Sequence, residues 1–289
     1  MEHQFFDYSP IVGRSAPRLP DGKRLAVWIG LNVEHYQYGQ QAMSLAQFTA
    51  QLVPDPLNYG WRDYGVRVGV WRLMELLDRH GFRASAITNA EVFQRYPQIV
   101  EEGAKRGWAW VGHGNDNSSW WVGMDRDAET AAIQGIAEAF RAATGAAPRG
   151  WLGPALTSTE HTLDVLAELG FAYSLDWAND DQPYRFTAGG GRLLSLPYSS
   201  EVNDIPAFVL HHHTGEQFAQ SVIDQFDQLY AEGADDLRVM GIGIHPFLVG
   251  QPFRAKHFAR ALEHIAGHDD VWLATSDEIA DWYAGATGS

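Results

Sequence analysis

A chain of 289 residues, 45% hydrophobic and 20% charged, holds enough apolar material for one large α/β domain or two ordinary ones. With 21 Lys+Arg against 36 Asp+Glu the formal charge is -15, and no basic cluster offers the footprint of a nucleic-acid partner. Cysteine is absent, which excludes disulfides, thiolate nucleophiles, Cys-held zinc and iron–sulfur clusters, so any metal must rest on His, Asp or Glu.

In chain order, "MEHQFFDYSP" has neither the basic flank nor the apolar run of a signal peptide, and no stretch approaches the ~18 apolar residues of a membrane span. A cytoplasmic protein with no membrane partner is expected. Residues 1–22, rich in proline, glycine and charge, read as an extended N-terminal arm, and 23–289 as a single domain. "RLAVWIGLNV" (24–33) is a nearly continuous apolar run of strand length, the mark of a strand buried on both faces in a parallel sheet; it ends at Glu34. The stretch through "VPDPLNYGWRDYG" reads as irregular.

From there the spacing predicts a helix over 68–82, a strand over 83–90, a helix over 90–107 and a strand over 108–114. The alternation continues with a helix (127–145), a short strand (149–154), a helix (158–170) and a strand (171–177). A further strand over 193–199, a helix over 215–233, a strand over 238–246 and a closing helix, strand and helix (254–283) complete it. Strands alternate with helices without a low-complexity linker or an internal repeat. The expected fold is therefore α/β, a single distorted (β/α) barrel with about seven parallel strands, with a doubly wound sheet as the alternative. Both folds place chemistry at the carboxyl ends of strands.

Those ends carry Asn32, Glu34 and His35; His113, Asp116 and Asn117; Trp151; Asp176 and Trp177; and His245 before Pro246. Polar groups costly to bury without partners thus converge on one mouth. Three adjacent histidines, His211 to His213, cannot easily face one ion from a strand and read as a solvated or interface segment. Asp180, Asp181, Asn203 and Asp204 read as turn and cap formers.

The order "LNVEHY", "GHGNDN", "RGWLGP", "LDWANDDQPY", "SSEVNDIP" and "GIGIHPFLVGQPFR" resembles the polysaccharide deacetylase superfamily. Within it, the likeness is to the branch with deacetylase-like allantoinases and cyclic imide hydrolases, and it runs from about Asp21 to Tyr283. In the sugar deacetylases the first motif supplies two adjacent aspartates, a base and a metal ligand; the resemblance puts Glu34 and His35 there. The second supplies two metal-binding histidines at i and i+4; here these are His113 and Asn117, and asparagine is a poor zinc ligand. If an ion is held, its set is Glu34, His35 and His113. Neighbours on an extended segment point to opposite faces, however, so Glu34 and His35 are not expected to share one ion. Metal-free catalysis is the expectation, and zinc the alternative cofactor.

Hydrolysis of an amide without an ion needs a base for water, a stabiliser for the oxyanion and a proton for the leaving nitrogen. Glu34 is the expected base, its pKa raised by apolar neighbours such as Val33. His245 is the expected acid, as the resemblance also implies, while His113 and Asn117 orient water or polarise the carbonyl. Trp151 and Trp177, with Trp120 or Trp121, are candidate walls for a flat ring. Asp176 and Arg67 are further candidate substrate contacts, Arg67 having Asp63 as an alternative structural partner.

The expected function is a hydrolase of non-peptide carbon–nitrogen bonds that opens a small cyclic amide, imide or ureide. The alternatives are a metal-dependent deacetylase of an N-acetylated sugar and a non-catalytic small-molecule binding barrel. A homo-oligomer is implied by the resemblance alone.

Overall fold

Leu25–Val33, buried at every position, forms β1, the strand with three partners in one nine-stranded sheet of the computed structural model, which describes residues 3–288. The other strands are β2 (Ala84–Thr88), β3 (Ala109–Gly112), β4 (Gly150–Trp151), β5 (Tyr173–Ser174), β6 (Tyr184–Arg185), β7 (Leu194–Ser195), β8 (Val239–Ile244) and β9 (Val271–Leu273). They lie in the order β6-β7-β5-β4-β3-β2-β1-β8, with β9 also on β1. β6 runs antiparallel to β7; the remaining pairings are parallel, so eight strands run together where about seven were expected.

The register explains how β1 serves three neighbours. Ile29 to Val33 face Ala84 to Thr88, and Leu25 to Val27 face Val271 to Leu273, so β2 and β9 share one edge. β8 takes the other, with Ala26 opposite Val239 and Leu31 opposite Ile244. Beyond β8 the sheet curls onto its far side. Val239 N–H donates to the Asp181 carbonyl at 2.9 Å and Gly243 N–H to the Val202 carbonyl at 3.1 Å, and Asn203 bridges to Gly243. The result is the distorted barrel rather than the doubly wound sheet.

The helices clothing it are α1 (Pro56–Tyr64), α2 (Val70–Arg79), α3 (Glu91–Arg95), α4 (Pro97–Lys105), α5 (Arg126–Thr144), α6 (Thr162–Glu168), α7 (Gly215–Glu232), α8 (Pro252–Ala266) and α9 (Ser276–Thr287). α1 occupies the stretch expected to be irregular. Asp55 caps it through Asn58 N–H at 3.3 Å, and Pro56 stands at its first turn, where a missing N–H costs nothing. The single helix expected over 90–107 is instead α3 and α4, because Pro97 cannot donate and forces Tyr96 out of helical geometry (φ -132°, ψ 54°).

Phe226 of α7 and Phe258 of α8 are fully buried beside Leu31 and Ile242, each contributing ~1.5–3 kcal/mol by burial. A π-turn at Gly65–Gly69 leads into α2 and lets the chain touch the turn after β8: a Cβ on Gly69 would lie 1.9 Å from the Pro246 carbonyl oxygen. On the opposite side, Phe5 and Phe6 pack among Trp177, Tyr184 and Phe186, and Arg14 pairs with Asp180 at 2.8 Å. Among the described residues no helix is long and apolar enough to cross a membrane.

Candidate active site

The carboxyl ends of β1, β3 and β8 deliver Glu34, His113 and His245 to one cavity of about 210 Å³. Met43, Trp120, Leu152, Ala155, Leu156 and Ile205 supply apolar wall, and Asn32, Tyr36, Asn117, Tyr198 and Asn203 the polar lining. A larger hollow of about 640 Å³ between the N-terminal arm and residues 197–202 holds none of Glu34, His113 or His245. The smaller cavity is therefore the site.

Glu34 is at its centre. Oε1 accepts Asn117 Nδ2–H at 2.6 Å and faces His113 Nε2 at 3.3 Å and His245 Nε2 at 3.5 Å; Oε2 accepts the Tyr36 hydroxyl at 2.6 Å. The far nitrogens of both imidazoles are committed. His113 Nδ1 donates to the Leu152 carbonyl at 2.7 Å, since a carbonyl can only accept. His245 Nδ1 donates to Asp204 Oδ1 at 2.6 Å, while Asp204 Oδ2 accepts the N–H groups of His245 at 2.8 Å and Val249 at 3.3 Å. Each Nε2 is thereby left to face Glu34 and the cavity.

The charge states differ from the expectation. Burial favours a neutral Glu34 carboxyl, but His245 beside it and hydrogen bonds from His113 and His245 outweigh burial and hold it well below the usual carboxylate range. The expected upward shift is thus reversed, because His113 and His245 lie 3.3 and 3.5 Å from Oε1 and outweigh the effect of burial. Burial also opposes charge on His245, yet the Glu34 and Asp204 carboxylates push it up to about 10. At neutral pH the pair is carboxylate and imidazolium. Burial raises the Tyr36 hydroxyl far above its ordinary range, so it stays a donor to Glu34.

His35, two residues past β1, does not line the cavity. Its Nδ1 lies 2.9 Å from the Tyr96 hydroxyl and its Nε2 3.5 Å from Glu91. Of the three side chains expected to hold an ion, Glu34 and His113 remain, and Asn117 turns an N–H donor, not a lone pair, toward Glu34. Among the described residues no group of three or more His, Asp and Glu side chains has the geometry to hold a metal ion. Zinc takes three or four strong nitrogen, oxygen or sulfur ligands, and of the set expected for it only Glu34 and His113 line the cavity.

Four expected substrate contacts lie elsewhere. Trp151 is 1% exposed and packs edge-on against Trp121 and Phe171, in the core. Trp177 packs under the N-terminal arm against Phe5 and Phe6. Arg67 is exposed and lies 3.7 Å from Asp63, one helical turn away. Asp176 accepts Gly153 N–H at 2.7 Å and the Ser174 hydroxyl at 3.0 Å, and burial pushes it up to about 6. It steadies the loop after β4 that carries Leu152, Ala155 and Leu156 into the cavity wall. Asp204, expected to be a turn former, is instead the partner of His245. Its signal was the "VNDIP" motif, which places a carboxylate one residue past the bridge between Asn203 and β8. His211 and His212 are exposed, as a solvated segment requires.

Residues 60–174 match the polysaccharide deacetylase family. Over 247 residues the chain is 30% identical to a protein of Schizosaccharomyces pombe described as a polysaccharide deacetylase, covering 77% of this chain and 75% of that one. A structure from Pseudomonas aeruginosa PAO1, described the same way, superposes with a TM-score of 0.85 at 28% identity, over 96% of this chain and 98% of that one. PuuE allantoinase superposes with a TM-score of 0.84 at 25% identity, over 98% and 100% of the two chains. Fold and site together define a hydrolase of carbon–nitrogen bonds. The chain belongs to the polysaccharide deacetylase family.

Proposed function

We propose that this protein opens a small cyclic amide, imide or ureide with water activated by Glu34, and that no metal takes part in the step. The observation that carries the reading is the Glu34 carboxylate held between His113 and His245 in a cavity of about 210 Å³, with asparagine at position 117 and His35 turned away. An allantoinase among the structural neighbours supports the same substrate class.

In this reading a water beside Glu34 attacks one ring carbonyl and gives its proton to the carboxylate. The His245 imidazolium supplies positive charge for the oxyanion and then a proton for the ring nitrogen as the C–N bond breaks. Asp204 keeps Nδ1–H in place, so the proton given up is the one on Nε2. A carboxyl held so low is a weak base in the empty site. When substrate draws the Nε2–H of His245 away from Glu34, one of the interactions lowering the carboxyl is removed, and the base strengthens as the substrate binds. Imides suit such a site: their carbonyl is more electrophilic than that of an acetamide, and the second carbonyl stabilises the departing nitrogen.

The same proposal takes residues 1–22 as an arm on one barrel domain, 23–289, that acts on a small molecule. It also takes the protein to be a homo-oligomer, as the family resemblance implies.

The names of two relatives favour a second reading, deacetylation of an N-acetylated sugar. A panel of cyclic imides, ureides and N-acetylated sugars separates the two. The expected outcome is ring-opened product from the cyclic compounds and no acetate from the sugars; acetate release alone would reverse the assignment.

A further inference from the structure

Tyr198 crosses the cavity where β1 and β8 run side by side. Gly30 and Gly243 are paired in that register, and both are needed to seat it. A Cβ on Gly243 would lie 2.6 Å from the Tyr198 hydroxyl, and one on Gly30 3.2 Å from its ring. The hydroxyl oxygen accepts Asn203 Nδ2–H at 3.0 Å and Asn32 Nδ2–H at 3.4 Å.

Main-chain partners fix both amides in this sense. Asn32 Nδ2 also donates to the Ile244 carbonyl at 3.2 Å, and Asn203 Oδ1 accepts Ile205 N–H at 3.0 Å, so neither can turn its oxygen to the tyrosine. Both lone pairs of the hydroxyl are therefore used. Among the described residues no acceptor takes its hydrogen. Tyr198 is 4% exposed and shares the cavity lining with Glu34 and His245, and a buried O–H left without an acceptor is costly.

We propose that Tyr198 gives this hydrogen to a substrate carbonyl other than the one attacked, so that the site selects rings with two carbonyls, imides and ureides, over lactams with one. The inference rests on the hydrolytic reading of Glu34 and narrows its substrate. Asn32, Glu34, Tyr198 and His245 line the same cavity, so the hydroxyl and the carboxylate both face the space a ring would occupy. One ring can meet both groups.

The test compares succinimide with 2-pyrrolidinone, the same five-membered ring with one carbonyl removed. Binding is measured calorimetrically in a Glu34→Gln background, where turnover cannot intrude, with and without Tyr198→Phe; kcat/KM is measured in the otherwise native chain. Tyr198→Phe is expected to weaken succinimide about tenfold and to leave pyrrolidinone unchanged, as one neutral hydrogen bond predicts. Gly243→Ala, which displaces the hydroxyl, is expected to reproduce the imide-selective loss.

Equal losses for both rings, no loss for succinimide, or no binding of either ring would overturn the proposal. If the selective pattern holds in binding while the native chain turns over neither ring, the hydrolytic reading falls and the role of Tyr198 stands.

Discussion

Replacing Glu34 with glutamine is expected to lower kcat on a small cyclic imide by about 10³-fold, the scale of a lost general base, with the fold kept. Glutamine is nearly isosteric, and its amide oxygen can still accept the Tyr36 hydroxyl that reaches Oε2 at 2.6 Å. Its NH₂ takes the place of Oε1, where the Asn117 Nδ2–H now at 2.6 Å loses its acceptor. What is lost is the charge that accepts a proton from water and helps hold His245 at about 10. Steady-state kinetics alongside thermal melting checks the claim: activity within tenfold of the native chain would remove Glu34 from the role of base.

Asp204→Asn is the second large effect, expected to cut kcat/KM by about 10²–10³-fold, within the range for lost acid–base catalysis. Asp204 uses one oxygen for His245 Nδ1–H and the other for the N–H groups of His245 and Val249. An asparagine keeps a single oxygen. If that oxygen stays on the two main-chain donors, the NH₂ meets Nδ1, which must then be unprotonated, and His245 becomes a neutral and weaker acid.

The pH dependence follows from the sign of the shift. His245 sits at about 10 in the folded protein against an ordinary 6.5, so its contribution to stability is fully present below pH 6.5 and lost as pH rises through about 10. Native activity is expected to fall on the alkaline side near pH 10. In Asp204→Asn that limb moves to lower pH, and the stability deficit, on the order of 3 kcal/mol at neutral pH for a broken buried pair, narrows as pH approaches 10. Kinetic profiles and denaturant melts across pH 6–10 measure both; an alkaline limb that does not move would separate Asp204 from His245.

What could be read in advance follows from the range of the forces involved. β1 was legible because "RLAVWIGLNV" is a nearly continuous apolar run, and a strand covered on both faces needs that. Glu34, His113, Asn117 and His245 were legible because a carboxyl-end rule turns positions along the chain into a location in space. That Glu34 lines the cavity and His35 does not agrees with the expectation from strand alternation. Trp151 and Trp177 misled because β4 and β5 are two residues long, too short for alternation to say which side faces the cavity.

Longer-range partners were not legible. Asp204 meets His245 across 41 residues, and Tyr198 meets Asn32 across 166, contacts that exist once the barrel has closed. The direction of the Glu34 shift failed for the same reason. It is set by imidazoles 79 and 211 positions away, not by Val33 beside it.

The most direct measurement is elemental analysis of protein purified without added metal, paired with cyclic imide hydrolysis before and after exhaustive chelation. The expected result is metal well below one equivalent and turnover unchanged by the chelator, leaving Glu34 and His245 as the working pair. One equivalent of zinc, with activity lost on chelation and restored by zinc, would contradict it and make His113 a ligand.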